Sequence, residues 1–361
     1  MFLKLSLFYD IFKKNKTLYL LFKFINNSIT TKVMKNCLFI LILLVFFSCT
    51  DTKNNLKVIE GDAIGTTFTV RYLADGSNNY EIKIDSLIAA INKSASTYIP
   101  TSDLSKINKG DTTVIADANL QEVFTKSAKI FKETEGAFDP TVGILVNAYG
   151  FGPEKPIENL DSLKVEELLK FVGFDKVQLE NEKIKKLYPE IYLDFNAIAK
   201  GYLVDMVSRM FEKNGVANYM VEIGGEIRAR GKNEKGLPWK IAIENPNTDG
   251  SRSFATVIEL KDESIATSGN YRKFKVKDDG TKYVHTINPK TGYAKESNLL
   301  SASVISKSDC ADVDAYATAF MEMGFEKSTA FLKNHPELKA FLIYVDEKGE
   351  MQSYKSDNFD K

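Results

Sequence analysis

The amino-acid sequence predicts an α+β fold in which largely antiparallel sheets are flanked by helices. Segments with helical spacing of apolar residues cluster early in the chain, whereas segments that alternate as strands cluster late. Segregated helices and strands are typical of α+β proteins, since a doubly wound parallel sheet would alternate them. From residue 61 to 346 there is no linker, repeat or low-complexity run. We therefore expect one compact domain or two interleaved lobes.

The early elements are one strand and three helices. Residues 66–73, TTFTVRYL, alternate as a strand. Apolar residues recur at helical spacing from Ile84 to Ile91 and from Leu120 to Phe131. Residues 196–213 predict a third helix, which ends at Gly215.

Strands predominate after this third helix. The segments with strand character are NYMVEIGGEIRARG, WKIAIEN, ATVIEL, RKFKV, KYVHTI and SASVIS. A helix over 311–323, a shorter one near 326–334 and the strand AFLIYV complete the predicted domain.

The amino-acid composition limits the kinds of partner and metal that the protein could bind. Lys+Arg and Asp+Glu both total 48, which gives zero net charge, and no basic stretch carries interleaved aromatic residues. We therefore expect no nucleic-acid partner. The chain has two histidines and three cysteines, too few for a zinc site built from His and Cys. A bound metal should be a hard cation held by oxygen atoms.

The N-terminal region has the pattern of a secretion signal. Residues 34–48 join a short basic start to an apolar run that falls short of the about 20 residues needed to cross a bilayer. The segment resembles a bacterial lipoprotein signal, with Cys49 as the lipid-modified first residue of the mature protein. The alternative is a transmembrane anchor with Cys49 unmodified. We expect a location in the cell envelope, on a bacterial membrane and facing the periplasm or the exterior.

The rest of the chain divides into four further segments. We interpret residues 1–33 as an upstream extension, either translated or created by a misplaced start codon. Residues 49–60 form a polar tether, residues 61–350 the folded domain and residues 351–361 a polar tail. Cys310 is then the cysteine that remains in the domain, so we expect no internal disulfide.

An acid and an alcohol lie four residues apart in the segment 309–324, DCADVDAYATAFMEMG. Asp314 and Thr318 should share one face of a helix and offer two hard oxygen atoms to Mg²⁺. The alternative is helix capping, with Ser308 or Asp309 as the N-cap residue and later acids in the first turn.

A second helix start combines polar residues with an internal glycine. In the segment 192–210, Asp194 and Asn196 suit an N-cap, and the free amides beyond them could meet an anion. Gly201 costs about 1 kcal/mol relative to alanine inside a helix, so we expect a close approach there. Lys200 beside it either reaches a phosphate or is a solvated surface lysine.

His285 lies between an extended segment and a turn that contains Asn288, Pro289 and Gly292. An imidazole at the end of a strand can act as a general base near neutral pH. The alternative is an ordinary strand residue.

Several loops combine small or polar residues with aromatic ones, namely IGTTFTV, STYIPTSDLSKIN and GAFDPTVGILVNAYGFG. Such loops suit a pocket for a flat ligand with polar edges. The segment EIGGEIRARG places two glycines within a strand, which indicates a bulge or the close approach of a ligand. No G-x-G-x-x-G follows a strand, so a nucleotide would be bound by another device.

Eight motifs, in order, resemble those of the FAD:protein FMN transferases, the ApbE family of flavin transferases. The resemblance runs from about residue 58 to 345. The motifs are the Gly65-Thr66 strand, STYIPTSDLSKIN, GAFDPTVG, DFNAIAKGYLVD, GGEIRARG, SGNYRKF, HTINPKTG and VDAYATA. The resemblance implies the ApbE-like fold with a central cleft. It also implies a Mg²⁺-dependent enzyme that moves the FMN half of FAD onto a Ser or Thr hydroxyl of a partner protein and releases AMP.

The resemblance assigns residues as well. It implies a magnesium site formed by Asp314, Thr318 and the carbonyl oxygen of Ala197, and His285 as the base that activates the acceptor hydroxyl. The positions that it implies for FAD are Ile64, Tyr98, Ala137, Phe138, Asp139, Asp194, Lys200, Tyr271 and Ile287.

Two other functions use the same residues. An FAD pyrophosphatase would use water as the acceptor and yield FMN and AMP, whereas a non-catalytic lipoprotein would only bind flavin. The expected partner is a redox flavoprotein that carries a Ser/Thr flavinylation motif. The chain itself has no D-x-x-[ST]-G-A-T-like segment, so we expect no self-modification.

Overall fold

An eight-stranded antiparallel sheet is the central element of the fold. In the computed structural model, the residues described are 55–74, 78–247, 251–270, 274–276, 282–284, 286–294 and 297–360. The strand order in the sheet is β1-β2-β5-β6-β9-β12-β13-β14. The strands are β1 Asn55–Ala63, β2 Thr66–Ala74, β3 Val177–Glu180, β4 Lys183–Lys186, β5 Tyr219–Ile223, β6 Glu226–Arg230, β7 Trp239–Glu244, β8 Phe254–Leu260, β9 Glu263–Gly269, β10 Phe274–Val276, β11 Lys282–Val284, β12 Leu299–Ser306, β13 Lys339–Val345 and β14 Met351–Lys355.

Helices cover one face of this sheet. The helices are α1 Glu81–Ala95, α2 Asp103–Asn108, α3 Ala118–Glu133, α4 Gly143–Ala148, α5 Ser162–Leu169, α6 Asn196–Lys213 and α7 Cys310–Asn334, with a 3-10 turn at Phe174–Lys176. Side chains of Ser102, Asp117 and Asp161 cap the starts of α2, α3 and α5 by accepting main-chain hydrogen bonds. The main core lies between the sheet and α1, α2, α3, α6 and α7, whereas α4 and α5 pack in a separate small cluster.

The hairpin of β7 and β8 covers the opposite face. Its Trp239, Ile241 and Ile243 pack with Ile265 of β9 and Ile305 of β12 in a second apolar cluster. Because both faces are covered, seven of the eight residues of β12 are buried, and its sequence is a nearly continuous apolar and small-residue run. The described residues, from Asn55 onward, form one compact unit.

The predicted helices and strands are confirmed where the structure describes them. The two predicted helices over 311–323 and 326–334 correspond to α7, which is interrupted at Gly324, where φ is +78°. Glycine adopts that angle without steric cost, so it separates the two helical segments. The α+β class and the antiparallel pairing are likewise confirmed.

Two segments outside the expected domain contribute strands. Residues 55–60, expected within a tether, form most of β1 and pair with β2. Residues 351–355, expected in a polar tail, form β14 and pair with β13, and Phe359 beyond them packs in the second cluster. Both are edge strands with mostly exposed side chains, which is why their sequences lack a strong apolar pattern.

Among the residues that the structure describes, no helix is long and apolar enough to span a membrane. Residues 34–48 and Cys49 lie outside the described residues, so the signal and the lipid attachment stay predictions.

Candidate active site

The site is built where α6 crosses the start of α7. A β-carbon placed on Gly201 would lie 2.4 Å from the carbonyl oxygen of Cys310 and 2.8 Å from the α-carbon of Ala311. The close approach expected at Gly201 is therefore the main chain of α7. Glycine allows the two helices to meet backbone to backbone at this point.

We expect Gly201→Ala to lower the free energy of unfolding by about 1–3 kcal/mol, because the added methyl group overlaps main-chain atoms that have little freedom to move. Urea unfolding followed by circular dichroism measures this change. Lys213→Ala, at the exposed end of α6, is the control and should stay within about 0.5 kcal/mol of the parent. A higher unfolding midpoint for Gly201→Ala would contradict the crossing.

Asp314 of α7 contacts α6 at this crossing. Its side chain is 2% exposed, and its Oδ2 accepts a hydrogen bond from the Gly201 N–H at 3.1 Å. Asp309 holds the N-cap position of α7 and Asp312 lies in the first turn, as the capping alternative expects, but the Asp309 side chain makes no capping hydrogen bond. Asp314 is one turn further into the helix, so capping does not account for it.

Two buried carboxylates share one lysine at this point. The Lys200 Nζ lies 2.8 Å from Glu226 Oε1 and 3.5 Å from Asp314 Oδ1. The side chain of Glu226 is 4% exposed, and its Oε2 has no hydrogen-bond partner among the described residues. With both acids ionised the cluster carries one excess negative charge, which is costly in a buried site unless a cation compensates it.

The pKa values in this cluster reflect that imbalance. Burial raises the pKa of Glu226 to about 8, against the opposing effect of Lys200. Burial also raises the pKa of Asp314. Burial alone would lower the pKa of Lys200, but Asp314 and Glu226 outweigh it and raise that pKa above its usual value. Lys200 is thus a charged member of the cluster and not a solvated surface lysine.

Thr318 lies on the same face of α7, one turn after Asp314. Its Oγ1 is 3.2 Å from the hydroxyl of Ser268, at the end of β9. Ser268 belongs to the SGNYRKF motif, so the structure brings two of the quoted motifs together.

The carbonyl oxygen of Ala197 lies one turn before Gly201 on α6. In a regular α-helix its donor is the N–H of Gly201, and this N–H donates to Asp314. Asp314 therefore competes for this donor, and the Ala197 carbonyl oxygen, which has two lone pairs, can accept another partner. Within the described ranges, no group of three His, Cys, Asp or Glu side chains could hold a metal. A cation would depend on mixed oxygen donors, and Asp314, Thr318 and Ala197 supply a carboxylate, a hydroxyl and a carbonyl, which fit Mg²⁺.

Two tight turns lie beside Lys200. The turn from β1 to β2 holds Ile64 at φ +42° and Gly65 at φ +81°, an uncommon conformation for a β-branched residue. A β-carbon on Gly224 would lie 2.8 Å from Thr66 Cγ2 and 3.3 Å from Lys200 Cδ. The two glycines, predicted to lie within one strand at a bulge or beside a ligand, instead form the turn between β5 and β6. Gly224 brings this turn against the β1–β2 hairpin and Lys200.

Tyr98 and Asp194 lie close to each other at the start of α6. Tyr98 is 60% exposed, and burial of its hydroxyl, with the negative charge of Asp194, raises its pKa. The Asp194 Oδ1 accepts from the N–H of Asn196 at 2.8 Å, but Phe195 holds the N-cap position, so the N-cap predicted at Asp194 or Asn196 is wrong. An exposed aromatic ring next to a helix start could stack on a flat ligand.

The residues of the GAFD motif lie next to this helix start, but two of their side chains point inward. Phe138 packs in the main core. The Asp139 Oδ1 accepts from Thr141 Oγ1 at 2.6 Å, and its Oδ2 accepts from the Phe174 N–H at 3.3 Å. Ala137 is half-buried, so this loop can offer a ligand its main chain more readily than these side chains.

Ile287 is also buried, in a small cluster with Leu145, Val165 and Val172. The turn after it forms as expected, with the Gly292 N–H donating to the Asn288 carbonyl at 2.8 Å. His285 and Tyr271 lie outside the described residues, so their assigned roles stay predictions.

Sequence reasoning missed Glu226. It follows the two glycines that the sequence marked as unusual, and a glutamate at a buried strand position is a signal in itself. Its pairing with Lys200 depends on the crossing of α6 with the sheet, which no local pattern encodes.

The chain was compared with known proteins. Residues 64–342 match the model of the ApbE family. A "FAD:protein FMN transferase" of Haemophilus influenzae is 37% identical over 304 residues, covering 81% of this chain and 87% of that protein. Its counterpart in Escherichia coli K12 is 32% identical over 313 residues, covering 83% and 86% of the two chains.

Solved structures agree with this result. The structure titled "Flavin Transferase ApbE from Vibrio cholerae" matches with a TM-score of 0.77 and 34% identity, covering 84% of this chain and 98% of that one. The apo form of the Pseudomonas stutzeri flavinyl transferase ApbE matches with a TM-score of 0.75 and 28% identity, covering 85% and 96%. The chain therefore belongs to the ApbE family, and it is a transferase enzyme.

Proposed function

We propose that this protein transfers the FMN moiety of FAD onto a Ser or Thr hydroxyl of another protein and releases AMP, with Mg²⁺ as the cation. The names of its relatives support FAD as the donor and a protein as the acceptor. The observation that carries the cation requirement is the buried cluster of Asp314, Glu226 and Lys200, in which two carboxylates share one lysine and, with both acids ionised, would carry one excess negative charge.

Asp314, Thr318 and the carbonyl oxygen of Ala197 would hold the cation. When bound, Mg²⁺ neutralises the charge of the FAD pyrophosphate and stabilises the AMP leaving group. Asp314 is well suited to this role because the Gly201 N–H fixes one carboxylate oxygen and leaves the other near the lysine. Lys200 adds a positive charge on the same side, within reach of a phosphate oxygen.

The remaining contacts would orient the flavin. Tyr98 would contribute its exposed ring. Ile64 lies in the strained turn between β1 and β2, and Asp194 lies at the start of α6. We assign Ala137, Phe138 and Asp139 to main-chain contacts, because the last two side chains face the interior. Tyr271 and Ile287 complete the set implied by the family motifs.

The transfer step exchanges the phosphoanhydride linkage of FAD for a phosphate ester linkage to the acceptor. The oxygen of the acceptor hydroxyl attacks the phosphorus on the FMN side, and the bond from that phosphorus to the bridging oxygen breaks. The bridging oxygen leaves with AMP. His285 takes the proton of the hydroxyl, which increases the nucleophilicity of the oxygen during attack.

One experiment separates transfer from hydrolysis. The protein is incubated with FAD, Mg²⁺ and a redox flavoprotein that carries a Ser/Thr flavinylation motif, and the mixture is run on a denaturing gel. We expect flavin fluorescence at the mass of the acceptor and none after mutation of its Ser or Thr. Release of FMN and AMP without a fluorescent band would identify a pyrophosphatase instead, and a fluorescent band at the protein's own mass would contradict the expected absence of self-modification.

We also propose attachment of the protein to a bacterial membrane through a lipid on Cys49, in the cell envelope. Cys49→Ser should abolish incorporation of an alkyne-tagged fatty acid and move the protein from the membrane to the soluble fraction. The control is Cys310→Ser, a buried cysteine of the folded domain, which should keep the label. Retention of the label by Cys49→Ser would contradict the anchor.

A further inference from the structure

A second carboxylate joins the two helices that build the site. Asp205 of α6 accepts hydrogen bonds from the N–H groups of Cys310 and Ala311, both at 2.9 Å. In return, Asp314 of α7 accepts from the N–H of Gly201 on α6 at 3.1 Å. Each helix thus binds the main chain of the other through an aspartate, and we call these five residues the carboxylate clasp.

Asp205 replaces the side-chain cap that α7 would otherwise need. Asp309 holds the N-cap position but makes no side-chain cap. Its carboxylate instead pairs with Arg228, Arg209 and Lys126 at 2.7–2.9 Å. The first N–H groups of a helix require acceptors. The two carboxylate oxygens of Asp205, on the neighbouring helix, are the acceptors for two of these N–H groups.

The clasp is buried and held in one geometry. The side chain of Asp205 has no exposed surface, and its Oδ1 also pairs with Arg228 Nη1 at 2.8 Å. A carboxylate with three such donors is strongly fixed, since hydrogen bonds to an ionised group are about twice as strong as neutral ones. The position of α7 along α6 is therefore set at Asp205.

We propose that Asp205 is a positioning residue of the transferase, which sets the register of α7 on α6 and so the separation of Asp314 from the Ala197 carbonyl. This inference rests on the proposed function, because it assigns Asp205 through the cation that those oxygen atoms would hold. Mg²⁺ requires near-ideal octahedral geometry at about 2.0–2.1 Å. A small slide of α7 is therefore enough to weaken binding.

The test measures cation binding directly. Mn²⁺ is titrated into the full chain with FAD present, and free Mn²⁺ is followed by electron paramagnetic resonance. Asp205→Asn keeps the volume of the side chain but places an amide group against one of the two N–H donors. We expect about 10- to 100-fold weaker Mn²⁺ binding, the range typical of residues that orient metal ligands, and a parallel rise in the Mn²⁺ concentration needed for transfer.

The matched control is Glu122→Gln. Glu122 accepts from Arg209 at 2.7 and 3.0 Å and from Tyr202 at 3.0 Å, so its loss weakens the contact of α3 with α6 and leaves the clasp in place. This variant should bind Mn²⁺ as the parent does, even if it melts at a lower temperature. Equal weakening in Glu122→Gln and Asp205→Asn would assign Asp205 a purely structural role and overturn the inference.

Two further variants complete the design. Asp205→Glu retains the charge and both acceptor oxygens but is one methylene longer, so in this buried position it should shift α7 and weaken Mn²⁺ binding. It decides the matter if Asp205→Asn does not fold, since parental Mn²⁺ affinity in Asp205→Glu would then overturn the inference. Asp314→Asn tests the cation site itself. Weak binding in Asp314→Asn together with parental binding in Asp205→Asn overturns this inference alone, whereas no binding by the parent protein overturns it together with the proposed function.

Discussion

Asp314→Asn should abolish the cation-dependent binding of FAD and lower the rate of flavin transfer by at least about 100-fold. Changes that merely reorient a metal ligand already cost about 10- to 100-fold in affinity, and this change removes the charged ligand. The amide keeps an oxygen that can accept from the Gly201 N–H, so we expect the crossing of α6 and α7 to survive.

The melting temperature of Asp314→Asn is a second measurement. The substitution should not lower it without ligands, but should remove the rise that the ligands cause. Without cation, Asp314→Asn removes one of the two buried carboxylates that share Lys200 and should leave the melting temperature equal or higher. With Mg²⁺ and FAD at 100 times the dissociation constant, the parent should gain about 2.7 kcal/mol and the variant almost none. Differential scanning fluorimetry with and without both ligands measures this difference.

Asp312→Asn is the control for charge on the same helix. Asp312 pairs with Lys126 at 3.0 Å, near the start of α7 and away from the Lys200 cluster. The Asp312→Asn variant should keep the ligand-induced rise in melting temperature. If Asp314→Asn showed the same ligand-induced rise as the parent, the role assigned to Asp314 would be contradicted.

His285→Ala should slow flavin transfer by about 10²- to 10⁴-fold, the usual contribution of a general base, while FAD binding stays within about threefold of the parent. The two effects separate because the imidazole is assigned to the proton of the acceptor and not to the cofactor. Flavin fluorescence titration measures binding, and the appearance of the covalent band over time measures transfer.

The other histidine provides the control. His335 stacks on Phe331 with ring centroids 3.9 Å apart and pairs with Glu337 at 2.8 Å, at the end of α7. His335→Ala should transfer flavin at the parental rate. Transfer at the parental rate by His285→Ala would contradict the assignment of His285 as the base.

The sequence was most informative where local physics decides the outcome. The spacing of apolar residues predicted α1, α3, α6 and the two helical segments of α7. The turn from Asn288 to Gly292 also follows from residue types whose backbone preferences are strong. These features depend on neighbours in the chain, so periodicity and turn chemistry are sufficient to find them.

The sequence was less informative where tertiary contacts decide. It marked Gly201 as a point of close approach, but the partner, the main chain at Cys310, lies 109 residues away in the chain and became evident only from the crossing. The links of Glu226 to Lys200 and of Asp205 to α7 depend on the same crossing. The edge strands β1 and β14 were missed because exposed strands carry little apolar alternation.

The central claim is that one turn of α7 presents an acid and an alcohol to a divalent cation beside the FAD phosphates. Crystals grown with FAD and Mn²⁺, measured at an energy where manganese scatters anomalously, test it most directly. We predict an anomalous peak within about 2.5 Å of an Asp314 carboxylate oxygen and of the Thr318 hydroxyl. A peak held by other residues, or bound FAD with no peak at this turn, would contradict the claim.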